Sequence, residues 1–183
     1  MRKQALEHRK NMDPYSEDPD EACHLFFDAL KPQPGQVVSA YWPMGKEFDT
    51  TLLLERLLKE DCICALPVID NGNKVLKFAR WHEGEQLEKS AFGVMQPAVN
   101  ENTEWVTPDI VIVPMLAFDR HGHRLGYGGG HYDATLQHLR QNGTVTAVGL
   151  AYAQQAVLFN LPVEDHDEQL DWIITPLMAQ RYS

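Results

Sequence analysis

The sequence predicts a three-layer α/β/α domain with a mainly parallel central sheet, of Rossmann-like kind. Three observations lead there. Short apolar runs of strand character alternate with helical patterns along most of the chain, the mark of a layered α/β domain. One run, Asp109 to Pro114 (DIVIVP), is apolar without alternation, as a strand buried on both faces must be. The longest glycine-rich segment follows that run, and in such sheets ligands gather where loops leave the carboxyl ends of the strands.

Taken in order, Arg2 to Met12 reads as a short basic helix. In SEDPDEACHLFFDAL, Asp18 suits the N-cap, Pro19 the first helical position and Glu21 the third position beyond the cap. That helix should stop before Pro32. Val37 to Tyr41 reads as a strand and PMGKEFDT as a polar loop, with Asp49 or Thr50 capping a helix that carries Leu52, Leu53, Leu57 and Leu58. Cys62 to Val68 reads as a strand, Asn71-Gly72 as a turn, and Val75 to Ala79 as its continuation. Residues 82 to 108 read as irregular. After the DIVIVP strand and its loop, a helix carrying Tyr132, Leu136 and Leu139 should end at Gly143, with strands at Val145 to Tyr152 and Trp172 to Thr175.

The 183 residues suit one domain, taken as 1–183, and are short for two. No apolar run approaches the roughly 20 residues that cross a bilayer, and the polar, basic N-terminus is unlike a secretory signal. A net charge of −10 argues against a nucleic-acid partner, whose binding needs a basic surface. The basic residues Arg2, Lys3, Arg9 and Lys10 nevertheless crowd the first ten positions, which leaves room for a local anion site. Cys23, Cys62 and Cys64 make a poor disulfide framework. They read as core thiols of a protein in the reducing cytoplasm.

The chemistry concentrates in VPMLAFDRHGHRLGYGGGHYDATL. Four of the five positions from Gly126 to Gly130 are glycine, so backbone N–H groups there can approach an anion closely. The loop runs from a buried strand into a helix N-terminus, where free N–H groups and the helix dipole favour phosphate. Arg124 stands just before the glycines as a guanidinium fork for phosphate oxygens. Asp133, in the first helical turn, is placed to hold Mg²⁺ beside a triphosphate. No Lys-Ser or Lys-Thr follows the glycines, so this is not a Walker A loop. His121, His123, His131 and His138 have no usual zinc spacing and no accompanying cysteine.

The run from Val113 to Asp133 resembles the signature of the 5-formyltetrahydrofolate cyclo-ligase (methenyltetrahydrofolate synthetase) family. The matching residues are Pro114, Ala117, Phe118, Asp119, Gly122, Arg124, Leu125, Gly126, Gly128, Gly129, Gly130, Tyr132 and Asp133. KEFDT (Lys46 to Thr50), the stretch from Gly149 to Asp167 and the basic N-terminal helix resemble further family elements. The resemblance implies an ATP-dependent ligase that uses Mg²⁺ to convert 5-formyltetrahydrofolate into 5,10-methenyltetrahydrofolate. ADP and phosphate are released, and the reaction passes through a phosphorylated formyl group.

By that resemblance, Arg124 and Tyr132 are the candidate catalytic residues. Arg2, Lys3, Arg124, Leu125, Gly126, Tyr127, Gly128, Gly129, Gly130, His131 and Tyr132 would bind ATP. Trp42, Met44, Glu47, Gly128, Gly129, Gly130, His131 and Tyr132 would bind the folate, with Glu47 gripping the amino-amide edge of the pterin. Asp133 and Asp167 would hold the metal. A monomer with no membrane or nucleic-acid partner is expected.

Three departures from the family pattern stand out. His131 occupies a position where the family usually has an aromatic residue, often Tyr. Gln96-Pro97 stands where the family often has Glu-Pro. A family lysine that usually lies a few residues upstream of the Arg2 position is absent. These departures motivate an alternative, a catalytically weak or inactive homologue that binds folate or nucleotide.

Overall fold

In the computed structural model, which describes residues 1–182, the chain opens with helix α1 (Arg2–Asn11) and, after a short 3-10 turn, enters α2 (Pro19–Leu30). Strand β1 (Val37–Ser39), helix α3 (Thr51–Lys59) and strand β2 (Ile63–Val68) form a parallel crossover unit. Four short strands follow: β3 (Lys77–Arg80), β4 (Leu87–Lys89), β5 (Met95–Pro97) and β6 (Trp105–Val106). Then come β7 (Ile110–Val113), β8 (Ala117–Phe118), β9 (Arg124–Leu125), helix α4 (His131–Asn142), β10 (Thr146–Leu150), β11 (Trp172–Thr175) and β12 (Met178–Arg181).

The main sheet has the order β12-β11-β10-β7-β1-β2-β3-β6. Its five inner strands, β11-β10-β7-β1-β2, are all parallel, while β12, β3 and β6 add antiparallel edges. Counting parallel strands along the chain, the spatial order is 2-1-3-4-5, the flavodoxin-like doubly wound arrangement. From β1 the chain moves one way to β2, and later the other way through β7 to β10 and β11. The switch point therefore lies between β1 and β7, where the loops leaving both strands diverge and open a crevice.

Strand alternation divides the core into two layers. Ile110, Ile112, Val148 and Ile174 face one layer, packed with Phe26 of α2 and Leu53, Leu54 and Leu57 of α3. Val111, Val113, Ala147 and Ile173 face the other, packed with Leu136 of α4. The apolar DIVIVP run is explained by this: β7 lies between β1 and β10, covered by helices on both faces. Cys62 and Cys64 share the first of these layers with Cys23, all three as free buried thiols.

Helix boundaries follow local chemistry. The Asp18 side chain accepts from Asp20 N at 3.0 Å, and Lys31 in the left-handed region ends α2 ahead of Pro32. At α3 the cap is divided. Asp49 Oδ1 accepts from Thr51 N at 3.0 Å, while the Thr50 hydroxyl turns inward and donates to the Tyr41 carbonyl at 2.5 Å. Helix α1 has almost no apolar face, and Arg9 is its one buried residue. Long-range bonds hold it instead. Lys46 Nζ donates to the carbonyls of Lys10 (2.7 Å) and Met12 (2.6 Å), closing the C-terminal end of the helix.

Several expectations need correction. Residues 82 to 108 are not irregular: β4 and β5 form an antiparallel pair, and β6 extends the main sheet. The glycine-rich loop contains the small β8–β9 ladder. Strand β12 follows Pro176 and pairs with β11, an edge strand without the apolar alternation that would announce it. The strands expected to reach Tyr41 and Tyr152 stop at Ser39 and Leu150, because the chain bends there into loops that line or support the crevice. No helix among the described residues is long and apolar enough to cross a membrane.

Candidate active site

A cavity of about 680 Å³ opens at the switch point. The whole run from Arg124 to Asp133 lines it, together with Arg2, Met44, Glu47 and Asp167. The apolar part of its wall comes from Ile69 and Leu76, beside β2 and β3, and from Phe92 and Val94 of the β4–β5 hairpin. Two expected residues stand apart from this wall. Lys3 is exposed on α1, and Trp42 packs 5.9 Å from Trp81 against the core.

The floor is the turn into α4. Gly128 has φ +100° and Gly130, the N-cap of α4, has φ +69°, conformations that favour glycine. The Arg2 guanidinium lies over this turn. Its Nε donates to the Gly126 carbonyl at 3.3 Å, and a Cβ on Gly128 would sit 3.5 Å from the same nitrogen. Basic helix and glycine turn are thereby joined at the cavity edge.

Arg124 is nearly buried, and its fork is already engaged. Nη2 donates to Asp133 Oδ1 at 2.6 Å and Nη1 donates to the Glu168 carbonyl. Asp133 Oδ1 also accepts from Glu168 N at 3.0 Å. A buried guanidinium needs such partners, so Arg124 and Asp133 act as a pair that ties the 164–169 segment to the glycine turn. Asp167, on that segment, accepts from Glu164 N at 2.8 Å. Among the described residues no group of three or more His, Cys, Asp or Glu side chains gathers as a metal cage.

Across the cavity, Glu47 is buried. Its Oε2 accepts from Met44 N at 2.9 Å, and its Oε1 accepts from the Tyr127 hydroxyl at 2.7 Å. Tyr132 stands between the two charged regions. Burial first, then the Glu47 charge, pushes its phenol well above the usual range against the opposing pull of Arg124. It therefore remains a protonated donor.

His131 donates from Nδ1 to the Lys74 carbonyl at 3.0 Å, since a carbonyl only accepts. That leaves Nε2 as the ring's other polar atom, where a tyrosine would offer a hydroxyl. His166 also lines the cavity, whereas the other three histidines of the glycine-rich loop and α4 lie elsewhere. His123 bonds Asp119, His121 stacks loosely on His123, and His138 is exposed on α4. Gln96 Oε1 accepts from Ile69 N at 3.1 Å, a bond that a Glu oxygen would make equally well. Gln155 ties loops together, donating to the Met115 carbonyl at 2.8 Å and accepting from Tyr152 N at 2.9 Å.

Two wall features were not foreseen. Phe92, 62% exposed at the tip of the β4–β5 hairpin, leans edge-on over His131 with ring centroids 5.7 Å apart. Its only sequence signal was an aromatic beside glycine in SAFGV. Arg9, behind the wall, contacts Tyr127, and its signal was a charged residue on the inner face of a basic helix.

Fold and site together define a doubly wound α/β protein with a glycine turn at a helix N-terminus across a cavity from a buried carboxylate. More particularly, the chain belongs to the 5-formyltetrahydrofolate cyclo-ligase family, whose pattern residues 1–176 match. It is 37% identical over 138 residues to the 5-formyltetrahydrofolate cyclo-ligase of Haemophilus influenzae, covering 73% of this chain and 72% of that one. It is 31% identical over 187 aligned positions to the enzyme of that name from Mycolicibacterium smegmatis, covering 96% and 92%. The solution structure of Aquifex aeolicus 5,10-methenyltetrahydrofolate synthetase superposes with a TM-score of 0.75 at 28% identity, covering 98% of this chain and 90% of that one.

Proposed function

We propose that this chain catalyses the ATP- and Mg²⁺-dependent cyclisation of 5-formyltetrahydrofolate to 5,10-methenyltetrahydrofolate, releasing ADP and phosphate. One observation carries the reading: the glycine turn with its Arg124–Asp133 pair, and the buried Glu47, face one cavity of about 680 Å³.

In this reading the formyl oxygen attacks the γ-phosphorus of ATP, because a formamide oxygen leaves poorly until it is phosphorylated. The neighbouring arm nitrogen then attacks the activated carbon and loses its proton, and the C–O bond breaks as phosphate departs. The protein's task is to align the two substrates and stabilise the charge that moves. The Gly128–Gly130 amides and Arg2 hold the phosphates, and Glu47 accepts hydrogen bonds from the amino-amide edge of the pterin. Tyr132, kept protonated, donates to oxygen that gains charge. Arg124 contributes positive charge behind the turn and orients Asp133. Two wall carboxylates without a cage, Asp133 and Asp167, suit Mg²⁺, which binds through one or two carboxylates plus phosphate oxygens. When bound, that ion neutralises phosphate charge. The reading extends to a monomer working in the cytoplasm, in keeping with three free buried thiols.

The test is incubation with 5-formyltetrahydrofolate, ATP and Mg²⁺ while methenyl-product absorbance and ADP release are followed together. Equal formation of both products is the expected result. Binding of both ligands without turnover would assign the chain instead to the non-catalytic homologue that the His131 position suggests.

A further inference from the structure

Helix α1 lines the cavity with Arg2 and sends one buried side chain, Arg9, behind the cavity wall. Arg9 is 7% exposed and projects from α1 between the β1 and β7 loops. Its Nη2 donates to the Met115 carbonyl, which anchors it in place. Its Nη1 donates to the Tyr127 hydroxyl at 2.5 Å and lies 3.9 Å from Glu47 Oε1. Tyr127 passes the contact onward, donating its own proton to Glu47 Oε1 at 2.7 Å. Met44 N fixes the other carboxylate oxygen. The hydroxyl is thus an acceptor on one side and a donor on the other, and its single proton can point only at the carboxylate. A guanidinium, a phenol and a carboxylate form one directed chain.

We propose that Arg9 and Tyr127 are positioning residues for Glu47, setting the orientation in which its carboxylate meets a ligand that donates two hydrogen bonds. The proposal rests on Glu47 being the folate-binding acid. A carboxylate has about four acceptor positions. Tyr127 and Met44 each fill one, which leaves one on each oxygen for the ligand. Without the hydroxyl, Arg9 would close the remaining distance and pair with Glu47 directly. The strongest local donor would then compete with the ligand for the same oxygen.

The chain also links the two halves of the site. Tyr127 lies inside the glycine-rich segment, between Gly126, whose carbonyl Arg2 binds, and Gly128 at φ +100°. The tyrosine is 49% exposed, so burial does not hold it. Its fixed point is the pair of hydrogen bonds to Arg9 and Glu47.

The experiment is a double-mutant comparison on the full chain. Tyr127→Phe, Arg9→Met and the double variant are assayed for KM of folate, KM of ATP and kcat, with melting curves in parallel. Tyr127→Phe keeps the ring and removes only the hydroxyl. The expected result is a rise of about tenfold in folate KM for each single variant, the size set by one hydrogen bond to a charged group. The double variant should rise no further, with ATP KM changing much less. Arg9→Lys should restore part of the loss by supplying one donor to the hydroxyl. Additive effects, or equal shifts in both KM values, would overturn the proposal and leave Arg9 a pin for α1. Glu47→Gln provides the separate control. An unchanged folate KM in that variant would remove Glu47 from the folate site, whereas a raised one with an unaffected Tyr127→Phe would refute the positioning role alone.

Discussion

Replacing Asp133 by Asn separates two roles that this side chain combines. The amide oxygen of Asn can still accept from Arg124 Nη2 and Glu168 N, bonds now made at 2.6 and 3.0 Å. What is lost is the charge on the acceptor. A charge-assisted bond becomes a neutral one, a cost of about 1 kcal/mol, which in a domain of this length lowers Tm by roughly 2–4 °C. Asp133→Ala is a different perturbation. It removes the acceptor and strands a guanidinium that is 5% exposed, a cost of about 3–5 kcal/mol. If Asp133 also holds Mg²⁺, the Asn variant should lose about 100-fold or more in turnover, since a bound metal supplies several kcal/mol of charge stabilisation. The assay is methenyl-product absorbance across a Mg²⁺ titration, with a melting curve for each variant. An Asn variant with near-normal Tm and collapsed turnover supports the metal role. An Asn variant with wild-type Mg²⁺ dependence would refute it and leave Asp133 as the clamp on the 164–169 segment.

Gly128→Ala should raise the KM for ATP and cost about 1–3 kcal/mol, because φ is +100° there; a kinetic titration with ATP checks this. Gly149→Ala should leave both KM values alone but lower Tm. The new Cβ would lie 2.4 Å from the Met115 side chain and 2.7 Å from that of Ile173 in the core, an overpacking cost of about 1–3 kcal/mol. Asp119 offers a pH test. Burial pushes its carboxyl up, but bonds from Leu161 N, His121 N and His123 outweigh that and hold it below its usual 3.8. A depressed folded-state value gives stability that is present above about pH 4 and lost as pH falls through the folded value. Asp119→Asn should therefore flatten the acid limb of a Tm–pH curve, and an unaltered limb would exclude this contribution.

How much could be read in advance depended on how local the cause was. Asp18 and Pro19 start α2 and Pro32 marks its end, all through effects within a few residues. The β7 run is apolar because helices cover both its faces, and that requirement is written in consecutive residues. The glycine turn was legible for the same reason, since positive φ at Gly128 and Gly130 restricts residue type on the spot. Arg9 was not legible as a site residue, because its meaning comes from Tyr127 and Glu47, 118 and 38 positions away. The β4–β5 hairpin was missed because Leu87–Lys89 and Met95–Pro97 are too short and too mixed in polarity to show a period. Arg124 shows a third case. Its residue type was informative as a fork for phosphate oxygens, but its burial and its protein partners were not legible. The fold buries it, and burial requires the carboxylate and carbonyl that now occupy its donors.

The occupied donors bear on how the cavity would work. Before any ligand arrives, three charged groups on the wall are held by other protein groups: Arg124 by Asp133 and Glu168, Glu47 by Tyr127 and Met44, Arg2 by Gly126. Such groups do not search for an orientation when substrate binds, so less ordering entropy is lost at that moment. Their partners also prevent neighbouring charges from collapsing onto one another. Tyr127 keeps Arg9 3.9 Å from Glu47 rather than in direct contact. Arg124 and Arg2 stand at the glycine turn, while Glu47 lies across the cavity with Arg9 3.9 Å behind it. The division of charge follows from the topology, because the acid leaves β1 and the turn follows β7, on the two diverging sides of the switch point.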